Sequence, residues 1–526
     1  MRLPTAHTSA AAPAAGACGA ARVVWRVPTR RGVALAAAAS LALCCLALWS
    51  VPAAAAGGIL PNVTTVLVSA DVDGGKGNGL DASYPPALTR EASHVAFAST
   101  SANLVPGDTN GRSDVFVRDL DPVTGVWRTS RVSVAPSGGE ADGDSFDPAI
   151  SADGRFVAFV SDAANLVADD RNGTTDVFLW DRGSSAPEDR MVRLSTNGFG
   201  NADAYSWEPS IAADGDVVSF LSEASNLVPG DGNGFADVFV WERSGGQARM
   251  TLVSGGVSGA GDGGAWQQAL SADGSAVVFT SDAANLVPGD DNHSSDVFVL
   301  DRATGRTMLE SRASDGTVGD GWSFFPAISA DGSVVAFDSI ATNLAPDGGE
   351  RPDVFVRDRG TGQTRLVSVG PTGAKGDYAS FAPSLSADGR SVAFDSNATN
   401  LVSHDANGYG SDVFVRDLVS GTTTLASLDV NGLVQFDQAY NAAISPDGDH
   451  VAFVGLFELL GLGDAQYYLR GPLRSPPLDL APPTSPAAGP AVDTTTATTA
   501  VPTTTTADTT TSTEPATTSA PTTAAG

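Results

Sequence analysis

A short acidic pattern, D-x-N-G-x-x-D, recurs at places where oxygen-bearing side chains could surround a cation. Its copies comprise Asp108, Asn110 and Asp114; Asp170, Asn172 and Asp176; Asp231, Asn233 and Asp237; and, with histidine replacing glycine, Asp290, Asn292 and Asp296. Alternating oxygen ligands around a glycine that permits a sharp turn are what a Ca²⁺ loop requires. Because Asp and Asn also close Asx turns without any metal, turn formation is the alternative. The pattern therefore predicts calcium as a candidate cofactor, with only three oxygen side chains per loop and no distal glutamate.

Aromatic residues form a second pattern. One stands five residues before the Ser, Thr or Ala of each S-x-D-G-like turn, as Tyr84, Phe146, Trp207, Trp266, Phe324, Phe381 and Tyr440. Such a ring could stack a sugar or grip a peptide, or it could pack between repeats, which its presence in every copy favours. Extra aromatics that break the repeat, such as Trp127, are better pointers to a binding mouth. The candidate ligand-binding residues are Tyr205, Trp207, Trp266, Trp322, Tyr378 and Tyr440.

Catalytic signatures are poor in this sequence. Neither H-E-x-x-H nor G-x-S-x-G occurs, and His94, His293, His404 and His450 fall singly in different repeats. The many carboxylates could still include an acid–base pair about 5 to 10 Å apart, as glycosidases need, but repeated turn aspartates are mostly structural. No catalytic residue is predicted.

The elements that position these residues come from one repeat. Its S-A-D-G turn and the following V-A-F triplet place an acidic residue at Glu91, Asp153, Asp214, Asp273, Asp331, Asp388 and Asp447, between 57 and 62 residues apart. Each unit contains four strand patterns: P-x-I-S, V-A-F-x-S, D-V-F-V, and a fourth after a Gly-containing turn. A regular period of four-stranded units predicts an all-β fold, a β-propeller.

The strand count predicts seven blades. The first two strand patterns occur seven times, and the third occurs six times clearly and once weakly, at residues 466–470. The fourth pattern is missing after the seventh unit, whereas a spare strand of that type, residues 64–69, precedes the first unit. Lending this N-terminal strand to the last blade completes seven four-stranded blades and removes an open sheet edge. Six blades plus a stray hairpin is the alternative.

The repeat resembles that of the TolB-like, or WD-repeat-like, propellers of bacteria. The resemblance covers about Asn62 to Gly471 and rests on S-x-D-G-x-x-V-A-F and D-V-F-V-x-D. Trp180-Asp181 and Trp241-Glu242 are similar to the Trp-Asp that ends the third strand of WD repeats, although the Gly-His of those repeats is absent. The separate N-terminal domain of TolB has no counterpart, so a Tol-type role is not implied. The resemblance implies a binding platform and leaves its ligand open.

The two ends of the chain differ in composition from the repeats. Arg26, Arg30 and Arg31 precede an apolar run, residues 33–49, and four alanines follow, so residues 1–56 are predicted to be a secretory signal or an N-terminal anchor. The Arg-Arg pair is also compatible with twin-arginine export. All three cysteines lie in this segment. Residues 57–475 are the predicted propeller, and the Thr/Pro/Ala-rich residues 476–526 are a predicted disordered, glycosylatable tail.

The charge of the chain restricts its partners. The formal net charge is −30, and the first 56 residues contain five arginines but no acid, so the remainder carries −35. Such a body repels nucleic acid and anionic lipid. We predict a secreted or cell-surface monomer, not embedded in a membrane, that acts as a non-enzymatic binding or scaffold propeller for a protein, peptide or glycan. The alternative is a carbohydrate-active or peptide-processing enzyme with its site at the channel mouth.

Overall fold

The structure of the protein is a computed structural model that describes residues 63–79, 84–186, 189–198, 200–256, 259–346, 348–349, 351–429, 436–456 and 465–473. The predicted export segment and the Thr/Pro/Ala-rich tail lie outside these residues. Within them the fold is all-β and consists of seven antiparallel four-stranded sheets arranged as the blades of a propeller. The predicted fold class and the count of seven blades are confirmed, and the six-bladed alternative is wrong.

Each blade contains strands A, B, C and D in order from the centre outward, and strands are numbered here along the chain. The N-terminal strand is β1 (Thr64–Leu67). Blade 1 contains β2 (Ala87–Leu88), β3 (His94–Ser99), β4 (Asp114–Leu120) and β5 (Trp127–Arg131). Blade 2 contains β6 (Ser145–Ile150), β7 (Phe156–Ser161), β8 (Asp176–Asp181) and β9 (Met191–Arg193). Blade 3 contains β10 (Ser206–Ile211), β11 (Val217–Ser222), β12 (Asp237–Ser244) and β13 (Gln247–Leu252).

A small hairpin leads to the next blade and consists of two strands of two residues each, β14 (Gly255–Gly256) and β15 (Gly259–Ala260). Blade 4 contains β16 (Ala265–Leu270), β17 (Ala276–Ser281), β18 (Asp296–Asp301) and β19 (Arg306–Leu309). Blade 5 contains β20 (Ser323–Ile328), β21 (Val334–Ser339), β22 (Asp353–Asp358) and β23 (Gln363–Leu366). Blade 6 contains β24 (Ser380–Leu385), β25 (Ser391–Ser396), β26 (Asp412–Asp417) and β27 (Thr422–Leu425). Blade 7 contains β28 (Gln438–Ile444), β29 (Val451–Leu456) and β30 (Gln466–Gly471), with β1 as its outer strand.

The core lies between the sheets. Strands B and C are buried on both faces, which is why they read as V-A-F and V-F-V rather than as alternating patterns. The phenylalanine of each strand B stacks on an aromatic ring of strand C, for example Phe97 on Phe116 at 5.7 Å between centroids and Phe453 on Tyr468 at 6.0 Å. The apolar clusters combine residues of neighbouring blades, so each blade is stabilised by its neighbours.

The A–B turns bind adjacent blades together. Gly154 has φ of 70°, and a Cβ there would lie 2.5 Å from the His94 ring of the preceding blade. The glycine of S-A-D-G is therefore required both by the left-handed turn and by the close approach of two blades. Backbone N–H groups of these turns also donate to the next blade, as from Ala152 to Ala213 O at 3.0 Å and from Ala387 to Pro446 O at 2.8 Å.

The ring closes through β1 and β30. Their register pairs Thr65 with Arg470, and the Ser69 hydroxyl donates to Gln466 Oε1 at 3.0 Å. The Tyr467 hydroxyl donates to Tyr84 O of blade 1 at 2.8 Å. The spare N-terminal strand and the weak last strand C thus form the predicted closure.

Candidate functional site

The propeller has two faces of different construction. Because consecutive strands are antiparallel, the B–C loops and the D–A connections lie on one face, which we call the loop face. The A–B and C–D turns lie on the opposite face, the turn face. All of the predicted calcium loops are B–C loops, and all six predicted ligand-binding aromatics lie on D–A connections or among the first three residues of strand A. The candidate site is therefore on the loop face.

The last aspartate of each D-x-N-G-x-x-D loop holds strand D to strand C. Ser133, two residues after the end of strand D, donates its hydroxyl to Asp114 Oδ1 at 2.5 Å and accepts the N–H of Val115 at 3.1 Å. Asp114 is fully buried and also accepts the Asn110 side-chain amide at 3.0 Å. The equivalent Asp–Ser pairs are Asp176–Ser195, Asp237–Ser254, Asp296–Ser311, Asp353–Ser368 and Asp412–Ser427. We call this the strand clamp; in blade 7, Gln466 and Ser69 take its place.

The asparagine of the pattern directs its nitrogen, not its oxygen, toward the carboxylate. Asn110 Oδ1 accepts the N–H of Arg112 at 2.9 Å, which closes an Asx turn. Asn172, Asn233 and Asn292 make the same two contacts in blades 2 to 4. The loops thus form the turns that the alternative to calcium required.

The blades differ in what neutralises the first aspartate. In blade 1, Arg131 Nη1 lies 3.3 Å from Asp108 Oδ1 and 3.4 Å from Asp114 Oδ2. In blade 2, Arg193 Nη1 lies 3.3 Å from Asp170 Oδ1. The cation position of these two loops is thus occupied by the chain's own guanidinium, and they do not fit a metal ion.

Blade 3 has no such arginine, since Leu252 pairs with Phe239 where Arg131 pairs with Phe116. Burial, and next the charge of Asp237, raise the pKa of Asp231 to about 6. A bound cation would therefore stabilise the carboxylates of this loop more than those of the other loops. Within the described ranges, however, no three His, Cys, Asp or Glu side chains are grouped so that they could hold a metal.

Leu309 takes the arginine position in blade 4, where burial raises the pKa of Asp296 to about 6. Arg312 lies close enough to lower the pKa of Asp290, which burial raises. In blade 5, Lys375 Nζ lies 2.7 Å from Asp353 Oδ2. Blade 3 is thus the least neutralised of the predicted calcium loops.

The loop face is fixed by a second repeated contact. The asparagine of the N-L-V motif, such as Asn165, accepts the N–H of Asp142 at 3.2 Å and donates to Glu140 O at 2.9 Å. Asp142 in turn accepts the N–H of Ala164 at 2.8 Å. The corresponding pairs are Asn226–Asp203, Asn285–Asp262, Asn343–Asp320 and Asn400–Asp377. In blades 2 to 6, the D–A connection is thereby held to the B–C loop of the blade that it enters.

Exposed aromatic side chains are collected on one part of this face. Among the residues that the structure describes, the exposed aromatics are Tyr205, Phe235, Trp266, Trp322, Phe325, Tyr378 and Tyr409, with relative exposures from 38% to 64%. All of them belong to blades 3 to 6, and all lie in B–C loops, in D–A connections or in the first half of strand A. We call this set the aromatic crescent.

Several of the equivalent positions in the other blades are polar. Asp144 of blade 2 and Gln438 of blade 7 stand where the crescent has Tyr205 and Trp322. Arg112 and Thr174 stand where it has Phe235 and Tyr409. Apart from Trp266, whose position is aromatic in every blade, the crescent therefore departs from the repeat.

The structure divides the predicted ligand-binding residues into two groups. Tyr205, Trp266, Trp322 and Tyr378 belong to the crescent. Trp207 and Tyr440 are half-buried and pack against the clusters between blades. Most of the predicted aromatic ring packs in this way, and Tyr84 stacks on Phe146 at 5.0 Å. Trp266 is the exposed member of the ring, and its indole N–H donates to Asp282 at 3.1 Å.

Sequence reasoning missed three members of the crescent: Phe235, Phe325 and Tyr409. Phe235 and Tyr409 each follow the Asn-Gly of a B–C loop, a position that is charged or hydroxyl-bearing in blades 1, 2 and 4. Comparing this one position between repeats would have found both. Phe325 lies in a β-bulge of strand A, with φ of 49°, that no sequence pattern had indicated.

Two acidic residues occupy the equivalent bulge in neighbouring blades. Asp147 and Glu208 have φ of 53° and 52°, and they lie on the innermost strands, which contact one another around the axis. The N–H of Gln268 donates to Glu208 Oε1 at 3.3 Å. Asp147 and Glu208 are therefore the candidate acid–base pair on the innermost strands.

Blades 5 and 6 also contain buried carboxyl groups in strand B. Asp395 accepts the N–H groups of Asn441 and Ala442 from blade 7 at 2.8 and 3.3 Å, and burial raises its pKa to about 7. Asp338 takes the same position in blade 5, where the corresponding backbone of blade 6 includes Pro383, which has no N–H. Asp338 Oδ1 accordingly has no partner, and burial raises its pKa well above the usual value.

No helix in the described part of the chain is long and apolar enough to cross a membrane.

Neither a protein-family model nor a curated protein matches this sequence. Solved structures similar to the chain include a putative TolB from Agrobacterium tumefaciens, at 15% identity and a TM-score of 0.36 over 65% of this chain and 94% of that one. TolB from Acinetobacter baumannii matches at 15% identity and 0.33, over 69% and 78%. The β-propeller domain of the Trilobed protease from Pyrococcus furiosus matches at 10% identity and 0.44, over 75% and 94%. TolB propellers, which the repeat resembles, are thus among these structures, and similarity at this level transfers neither an activity nor a partner.

Proposed function

We propose that the protein is an exported, non-enzymatic binding or scaffold propeller that holds a protein, peptide or glycan on its loop face. The observation that carries the proposal is the aromatic crescent, because exposed aromatic rings on four successive blades are not needed by a repeat that closes without them in the other three. Exposed apolar patches of this kind mark interaction sites.

The construction of the loop face supports this function. Strand clamps and Asn–Asp contacts fix the loops that present the rings. Tyrosine and tryptophan bury large areas while immobilising only two side-chain torsions, so a rigid aromatic surface binds at a low entropy cost.

Export is proposed from the sequence alone. The arginines and the apolar run of residues 1–56 are typical of a secretory signal, and they lie outside the described residues. The location that we propose is extracytoplasmic, secreted or at the cell surface.

Calcium binding is proposed for one loop only. Asp231 and Asp237 of blade 3 would supply the carboxylate oxygens, since no arginine neutralises them. Asn233, the third residue of this predicted site, would have to turn its amide oxygen away from the N–H of Phe235 to join them. The ion would serve stability rather than chemistry, by offsetting the repulsion between the half-buried Asp231 and the buried Asp237.

The enzyme alternative has one observation in its favour, the neighbouring Asp147 and Glu208 of the channel wall. If they form a glycosidase-type pair, Glu208→Gln and Asp147→Asn should each abolish hydrolysis of a chromogenic glycoside. Activity that survives both substitutions would exclude this pair.

The experiment that tests the proposed function probes peptide and glycan panels with the purified chain. The double variant Trp266→Ala/Trp322→Ala is compared with Val123→Ser/Val419→Ser, whose valines are 91% and 73% exposed in turns of the other face. We expect the aromatic variant to lose at least about tenfold in affinity for any ligand found and the valine variant to lose none. Binding that only the valine variant weakens, or no ligand in either panel, would overturn the proposal.

A further inference from the structure

The aromatic rings near the turn face are covered by the chain's own arginines. The guanidinium of Arg155 lies 4.6 Å from the Phe156 ring centroid, and that of Arg243 lies 5.1 Å from it. Arg243 also approaches Trp241, and Arg118 lies 6.0 Å from Trp127. Cations over aromatic faces are therefore a contact that this chain uses repeatedly.

The crescent shows the same contact once. The Arg351 guanidinium lies 4.3 Å from the ring of Tyr378, which packs against Tyr409 at 4.6 Å. In the described part of the chain, no arginine or lysine covers Tyr205, Phe235, Trp266, Trp322 or Tyr409. Most faces of the crescent are thus open to a cation from outside.

Carboxylates surround these open rings. Asp203, Asp320 and Asp377 precede crescent residues by one or two positions and are solvent-exposed, and Asp282 is hydrogen-bonded to Trp266. The body as a whole has 35 more acidic than basic residues beyond position 56. An acidic surface with bare aromatic faces is complementary to a ligand that carries positive charge on flexible stems.

We propose that the crescent binds a basic peptide segment, whose lysine and arginine side chains lie over the rings and beside the carboxylates. This inference rests on the proposed function, because it names the ligand of the same face. A neutral glycan would use the rings but gain nothing from the carboxylate charge, and an acidic partner would be repelled by it.

The test uses three probes with the full chain: a twelve-residue Lys-Gly peptide, the same peptide with glutamine for lysine, and a neutral β-linked glucose oligosaccharide. Titrations at low and high salt separate the charge contribution, because the Debye length falls from about 10 Å at 0.1 M to about 3 Å at 1 M. The variants are Trp322→Ala, Tyr409→Ala and the ring-preserving Trp322→Phe. Val419→Ala is the matched control, since Val419 is 73% exposed on the turn face of the blade that contains Tyr409.

We expect the lysine peptide alone to bind, with affinity that falls with salt and falls about three- to fivefold for each ring removed. Trp322→Phe and Val419→Ala should retain binding. Lysine-peptide binding that Trp322→Ala and Tyr409→Ala leave unchanged would assign it to net charge and overturn the inference. Oligosaccharide binding alone, lost with the rings, would overturn the basic-peptide inference and leave the proposed function standing. Absence of ring-dependent binding by every probe would count against both.

Discussion

Blades 3 to 6 and blades 7, 1 and 2 are built from one repeat, yet they face the solvent differently. The first group presents the aromatic crescent, whereas the second presents Gln438, Asp144 and Arg112 at equivalent loop positions. Their cores are alike, with the same stacked strand B and strand C rings. The difference teaches that the repeat specifies the blade, and that departures from it at exposed positions distinguish the surface for which we propose ligand binding.

The largest expected effect separates the aromatic residues that pack between blades from those of the crescent, which we propose to bind a ligand. Trp207→Ala removes a side chain that fills the space between blades, so we expect the free energy of unfolding to fall by about 2 to 3 kcal/mol. Trp322→Ala removes an exposed ring and should change it by less than about 0.5 kcal/mol. Urea denaturation of both variants checks this. Equal losses would mean that the crescent is part of the core.

Blades 1 and 3 can be compared through the arginine beside the strand clamp. Arg131→Leu gives blade 1 the residue of blade 3 and leaves Asp108 and Asp114 buried without a cation, which should destabilise the protein by about 2 kcal/mol at pH 7. Without the arginine, the pKa values of both carboxyls rise further, so the loss develops above their unfolded-state pKa and disappears at about pH 3, where both are neutral. Denaturation at pH 3 and pH 7 measures it. A loss that is the same at both pH values would point to packing alone.

Blade 5, like blade 6, has a buried carboxyl group in strand B, but in blade 5 the Oδ1 atom of Asp338 has no hydrogen-bond partner. Burial raises the pKa of Asp338, so its native state holds a proton that the unfolded chain releases above about pH 4, and stability is lost as pH rises from there. Asp338→Val, the residue of blade 2 at this position, should therefore raise the free energy of unfolding by about 1 to 2 kcal/mol at pH 8 and much less at pH 3. If the variant were less stable than the unmodified chain at pH 8, the Asp338 side chain would make a stabilising contact, contrary to this interpretation.

The smallest expected effect concerns calcium. If blade 3 binds the ion, a tenfold excess over its dissociation constant should raise the free energy of unfolding by about 1.4 kcal/mol relative to chelator. Asp231→Asn should abolish the difference, whereas Asp170→Asn in blade 2, where Arg193 fills the position, should leave it intact. Thermal unfolding of the unmodified chain and of both variants, with Ca²⁺ and with chelator, measures this difference. Equal midpoints for the unmodified chain would reduce all four loops to turns.

The repeat made the architecture predictable because each signal appears several times. A single Asp-Gly turn or V-A-F triplet is weak, but seven of them at a near-constant spacing leave few folds, and the unpaired strand at residues 64–69 indicated how the ring closes. The meaning of the acidic loops was harder to predict. Two features depend on side-chain positions that the spacing of residues does not contain. One is whether Asn110 turns its oxygen or its nitrogen toward Asp114, and the other is whether Arg131 reaches both Asp108 and Asp114.

The crescent was predictable only in part for a related reason. Trp207 and Trp266 occupy the same position of the repeat, yet one is half-buried and the other is 44% exposed. Trp266 donates its indole N–H to Asp282, whereas Trp207 packs in the clusters between blades, and the repeat position alone does not distinguish these two arrangements. Asp338 and Asp395 could be seen as departures from an apolar position, but their burial and their different partners required the structure.

The pairing of β1 with β30 determines when the ring of blades can close during synthesis. Thr64 and Gly471 are 407 positions apart and form a hydrogen bond across the sheet of blade 7. Strand β1 therefore receives its partner strand only after the other blades have been synthesised. Contacts of such long sequence separation form late and slowly. Until then both edges of an incomplete ring stay open, and they can pair with other chains. A chain interrupted after blade 6 would lose more than one blade in seven: it would also lose β30, the strand with which β1 pairs, and with it the closed ring that supports the loop face.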